Sequence, residues 1–127
     1  MDDLNYKNSF RQLVVWQRSK DLTLLVYEIT KNFPNEEKFA MISQMRRAAY
    51  SIMTNIAEGN SKRTVKDRCN FFNIANGSLS ELDCFIELAH ELKYLNAEKH
   101  KELLEVINKV GFLLNKFVSS QKKFSLS

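Results

Sequence analysis

Few side chains in this sequence are spaced to do covalent or metal chemistry. Glu87-Leu88-Ala89-His90 has the Glu-x-x-His spacing that puts a carboxylate and an imidazole on one helix face, as in helical bundles that hold two metals. Such a centre needs a second pair and further inward glutamates, yet the other histidine, His100, has Ala97 three residues before it. The pattern therefore reads as a solvated acidic face, and no metal site is expected. A serine or cysteine nucleophile needs a positioned base, and neither histidine has an evident partner along the chain. Glycine-rich phosphate loops, Cys-x-x-Cys pairs and haem-attachment motifs are missing, as is an arginine placed before a histidine in the manner of helical RNA-cleaving domains. The expectation is a protein with no catalytic residues and no cofactor.

Charge is the stronger signal. Lys62, Arg63, Lys66 and Arg68 fall within seven residues, between two segments of helical periodicity. If Thr64 caps the following helix, Lys66 and Arg68 lie in its first turn, where the helix dipole disfavours cations. Cations beside unpaired amides make an anion site, and a phosphate backbone held there would bind with strong salt dependence. An ordinary solvated loop is the alternative. Arg46 and Arg47 are candidate helpers. Residues 38–76 carry seven cations against Glu58 and Asp67, residues 77–108 carry seven acids against three lysines, and Lys109, Lys116, Lys122 and Lys123 meet no acid. The protomer is thus dipolar, with basic patches.

A second constellation is Arg47, Ser51, Asn55 and Glu58, whose intervals keep them on one helix face beside an apolar stripe. It reads as a hydrogen-bonded polar seam, with a ligand-binding role as the lesser reading. Gly77 and Ser78 within a helix suggest a close helix crossing, since glycine there otherwise costs about 1 kcal/mol.

The elements that must carry these groups are helices. Apolar residues recur at alternating intervals of three and four. The first stripe is Val15, Ser19, Leu22, Val26 and Ile29, stopped by Phe33-Pro34. Asn35 then caps a second helix opening near Glu36, with the stripe Ile42, Met45, Ala49, Ile52 and Ile56 and a left-handed stop at Gly59. Thr64 with Asp67 begins a third, with Phe72, Ala75, Leu79, Leu82, Ile86 and Ala89, closing around residues 92–94. Asn96 caps a fourth, with Leu103, Ile107, Val110, Leu114 and Phe117. Short connections make the fold all-α, an antiparallel up-down-up-down four-helix bundle forming one domain over residues 1–127. A short arm, about residues 1–11, precedes it, and residues from about 119 to 127 fray. Additional apolar residues such as Leu24, Phe71 and Phe85 either broaden the core edge or form a subunit interface.

Composition agrees. A 127-residue chain with 44% hydrophobic residues is long enough for one core, and three glycines and one proline are too few to punctuate a sandwich of short strands. Nothing resembles a signal peptide or membrane span, and Cys69 and Cys84 lie roughly 22 Å apart along one helix, too far to pair. Free thiols fit the cytoplasm, with an interchain disulfide as the lesser alternative.

Several stretches carry a family resemblance: Leu13-Val14-Val15-Trp16, Phe33-Pro34 with Glu36-Glu37, Gln44-Met45-Arg46-Arg47-Ala48-Ala49, Ser51-Ile52, Asn55-Ile56-Ala57-Glu58-Gly59, and Gly77-Ser78-Leu79 with Glu81-Leu82. In order from about Leu13 to Leu95, these resemble the bacterial four-helix-bundle proteins encoded in intervening sequences of large-subunit ribosomal RNA genes. Ser61 and Lys93 stand where that family usually has glycine, and Tyr50 and Asn60 are atypical. Lys93 must then adopt a left-handed conformation at about 1 kcal/mol, or the helix ends differently. The resemblance implies a ring-shaped homopentamer with no established catalytic activity and a poorly defined role. It also implies an architecture similar to the accessory variability protein of diversity-generating retroelements, which binds nucleic acid and a reverse transcriptase.

The expected function is therefore a non-enzymatic homo-oligomer that binds RNA or DNA through phosphate contacts at Lys62, Arg63, Lys66 and Arg68, helped by Arg46 or Arg47. Sequence preference is not expected, because no base-reading motif is present. The alternative is a scaffold that engages a protein partner through its acidic stretch and spare apolar surface.

Overall fold

The computed structural model describes residues 9–126, with side chains to residue 123. Its four long helices are α1 (Val14–Thr30), α2 (Met41–Asn60), α3 (Val65–Glu91) and α4 (Ala97–Leu126). Each packs on the helix before and after it, and α4 returns against α1, which closes the bundle. Every stripe residue of the first three helices is buried, as are Leu103, Ile107, Val110 and Leu114 of α4. Phe117 is half-buried with its ring edge-on to Phe72 at 5.1 Å. Of the additional apolar residues, Phe85 packs half-buried against this core and Phe71 is half-buried, whereas Leu24 is 61% exposed.

Two expected caps form. Thr64 Oγ1 accepts from the Asp67 amide at 3.1 Å and Asn96 Oδ1 from the Lys99 amide at 2.8 Å. Lys93 adopts the left-handed conformation, with φ of 64°. Because a Cβ is strained there, Lys93→Gly is expected to raise stability by about 0.5–1 kcal/mol. A loss on urea denaturation would show that the lysine side chain compensates.

Four local expectations are corrected. Asn35–Glu37 form a single 3-10 turn and α2 begins only at Met41, so that Glu37 lies before the helix and its carboxylate bridges the helix start and Tyr94. It accepts from the Tyr94 hydroxyl at 2.9 Å and from the Met41 amide at 3.4 Å. Gly59 is not left-handed; α2 passes through it to Asn60, and its missing Cβ makes room for Phe72, whose Cε1 would lie 2.5 Å from one. Gly77 marks no close crossing within the protomer, since a Cβ there would meet nothing within 4 Å. Finally, α4 continues to Leu126 instead of ending near Ser119. The arm falls largely on residues 1–8, outside the described residues; Phe10–Gln12 form a 3-10 turn.

The Glu37 hydrogen bond, aided by burial and by the charges of Glu37 and Glu36, raises the Tyr94 phenol above its ordinary 10.0. A raised folded-state value means that the stabilisation is complete below pH about 10 and is lost as pH climbs through the folded value. Tyr94→Phe should therefore be less stable than wild type at neutral pH and converge on it in more alkaline solution. A gap that does not change with pH would show that ionisation of this hydroxyl is not linked to folding.

Candidate nucleic-acid interface

The turn between α2 and α3 is built by short-range polar bonds. Ser61 Oγ donates to the Glu58 carbonyl at 2.7 Å and the Lys62 amide to the Gly59 carbonyl at 3.1 Å, after which Thr64 opens α3. Ser61 thus ties the turn back to α2. The four cations then meet different fates. Lys62 Nζ lies 3.3 Å from Glu58 Oε2 and 5.1 Å above the Phe71 ring. Arg68 Nη2 reaches Asn60 Oδ1 at 3.5 Å, the limit of a hydrogen bond, while its buried Nε has no partner. Arg63 and Lys66 are exposed and make no side-chain hydrogen bond, ion pair or ring contact among the described residues. Two of the four hinge cations are therefore free to meet an anion, and Lys62 keeps an exposed, competable pair.

Antiparallel packing adds charge that sequence proximity did not suggest. With Phe117 opposite Phe72, the end of α4 lies beside the start of α3, so Lys122 and Lys123, both exposed, share the hinge end of the bundle. The helpers, by contrast, are displaced. Arg46 and Arg47 precede Lys62 by about four helical turns, roughly 22 Å along α2, and do not share a phosphate with the hinge. Arg46 is held against α1: its Nε donates to Thr30 Oγ1 at 2.9 Å, its Nη2 to the Tyr27 carbonyl at 3.3 Å, and its guanidinium stacks 4.6 Å from the Tyr27 ring centre.

Only the middle of the predicted polar seam is one. Ser51 Oγ and Ser78 Oγ are 2.8 Å apart across α2 and α3, and Asn55 Nδ2 donates to the Ser51 carbonyl at 2.8 Å. Arg47 and Glu58, at its ends, face solvent. Elsewhere, the bundle brings together what the chain kept apart. His90 and His100 stack with ring centres 3.8 Å apart and planes within 5°, and His100 Nε2 lies 2.9 Å from Glu87 Oε1. Parallel rings do not converge their nitrogens on one point, and no group of three His, Cys, Asp or Glu among the described residues is arranged to hold a metal ion. The spacing of Glu87 and His90 was visible in sequence; the arrival of His100 from α4 was not. Cys69 is buried and Cys84 exposed, both as free thiols. No helix among the described residues is long and apolar enough to cross a membrane.

Fold and surface together define a four-helix-bundle protein whose hinge end carries the exposed cations Arg63, Lys66, Lys122 and Lys123. The chain belongs to the 23S rRNA-intervening sequence protein family, which it matches over residues 11–116. A crystal structure of a protein of unknown function from the S23 ribosomal protein family of Bacteroides thetaiotaomicron superposes with a TM-score of 0.77. That pair is 26% identical, and the superposition covers 84% of this chain and 96% of the other. DNA ligases from Campylobacter jejuni contain a segment 31% identical over 111 residues, covering 78% of this chain. The match spans 17% of the length of those ligases.

Proposed function

We propose that the protein is a non-enzymatic bundle that assembles into a ring-shaped homopentamer in the cytoplasm and binds RNA or DNA through phosphate contacts. The observation carrying this reading is the exposed, unpartnered pair Arg63 and Lys66 at the capped start of α3, flanked by Lys62 and Arg68. Each protomer has a formal charge of +4, so a five-membered ring carries about +20 and repeats its hinge around one rim. Multivalency turns a weak protomer contact into a useful one. The matching segment within proteins named DNA ligase supports a polyanion-holding role.

The test combines light scattering, for assembly mass, with anisotropy titrations of labelled RNA and DNA across a salt series. Binding that weakens steeply with salt supports the proposal. No binding at low salt sinks it and favours the protein-binding scaffold, for which the exposed Leu88 and Leu92 beside the acidic end of α3 are the specific argument.

A further inference from the structure

The outward side of α2 carries a second surface that the hinge does not use. Ser43, Arg47, Tyr50 and Thr54 are exposed at spacings that keep them on one helix face, and Glu58, paired with Lys62, is the exposed residue between this stripe and the hinge. At its start it opens into a groove lined by Tyr27, Lys38, Phe39, Arg46, Arg47 and Tyr50, together with Ile42 and Ser43. Three cations and no carboxylate line this groove. Phe39 is 89% exposed, the most exposed large apolar side chain among the described residues, with Tyr50 at 44%. The anchoring of Arg46 to Thr30 and Tyr27 fixes its guanidinium, leaving its other N–H groups without partners among the described residues. A pre-set planar fork of this kind suits a phosphate.

Exposed rings interleaved with cations form the combination that holds unpaired bases. Aromatic faces take the stacked bases and the cations follow the backbone. We propose that the groove and the α2 stripe bind single-stranded nucleic acid, with bases stacked on Phe39 and Tyr50 and phosphates on Lys38, Arg46 and Arg47. The strand runs along α2 towards Lys62 and Arg63. This inference rests on the polyanion-binding reading and adds strand selectivity to it. Bases within a duplex are already stacked on one another and do not reach the rings, so a duplex uses the hinge alone.

The experiment titrates labelled oligo-U, oligo-dT and a DNA duplex with the full chain at fixed salt, comparing wild type with Phe39→Ala/Tyr50→Ala. Loss of roughly 10- to 100-fold in single-strand affinity with duplex affinity unchanged is the expected result. Phe39→Trp should keep single-strand affinity, and its fluorescence should be quenched by oligo-U and oligo-dT but not by the duplex. Equal losses on both polymers, or none on either, overturn the groove while leaving the hinge reading intact. A change in assembly mass on removing the two rings also overturns it, by assigning the groove to a second copy of the chain. Wild type that binds neither polymer overturns the hinge reading and this inference together.

Discussion

Phe72→Ala is expected to lower the free energy of unfolding by about 3–5 kcal/mol. The ring is fully buried near the start of α3, seated on Gly59 of α2 and edge-on to Phe117 of α4, so its loss leaves a cavity shared by three helices. A domain of this size has only about 5–15 kcal/mol in hand, so the variant should unfold at much lower urea or not fold at all. The reverse error has a related cost. In Gly59→Ala the new Cβ would lie 2.5 Å from Phe72 Cε1 and 3.0 Å from the Arg68 carbonyl oxygen, an overpacking of about 1–3 kcal/mol. If ring and glycine act as one contact, combining Gly59→Ala with Phe72→Leu should cost less than the separate losses together. Strictly additive losses, or a Phe72→Ala cost under about 1 kcal/mol, would refute this packing.

Arg63→Glu/Lys66→Glu is expected to weaken binding to a DNA duplex by about tenfold or more at low salt, and to flatten the salt dependence by roughly one unit of log–log slope for each lost contact. The physical reason is that these two cations are not spent within the protomer, whereas Lys62 is shared with Glu58 and Arg68 leans on Asn60. Lys101→Glu/Lys109→Glu serves as the control. Both pairs take the formal charge from +4 to zero, but Lys101 and Lys109 lie on α4 away from the hinge turn. If the two double variants lose affinity equally, net charge alone drives binding and the hinge is not the site. Reversal at the hinge with no change in slope would remove it from the interface outright.

The fold was legible because its determinants are local and repeated. Period-3.6 spacing places an apolar stripe on each helix, and Thr64 and Asn96 sit where their side-chain oxygens reach the amides three residues on. Two of the local corrections, at Glu37 and Gly59, come from contacts with distant groups. In sequence Glu37 reads as a first-turn acid of α2, but it sits in a 3-10 turn before the helix, with its carboxylate shared between the Met41 amide and the hydroxyl of Tyr94, 57 residues later. Gly59 has the sequence context of a stop signal, whereas its actual partner is a ring on the next helix.

For the candidate site the division is sharper. The sequence by itself determined four amphipathic helices, the cationic turn at Lys62, Arg63, Lys66 and Arg68, and a family resemblance, because each is a property of neighbours along the chain. Only the tertiary structure decided which cations are free, that Arg46 is pinned to α1 while Arg47 faces solvent, that the end of α4 joins the hinge, and that His100 stacks on His90. Those outcomes depend on the direction and depth at which one helix passes another. Periodicity specifies the face a helix buries, but which side chains come opposite one another follows from how all four faces fill one core.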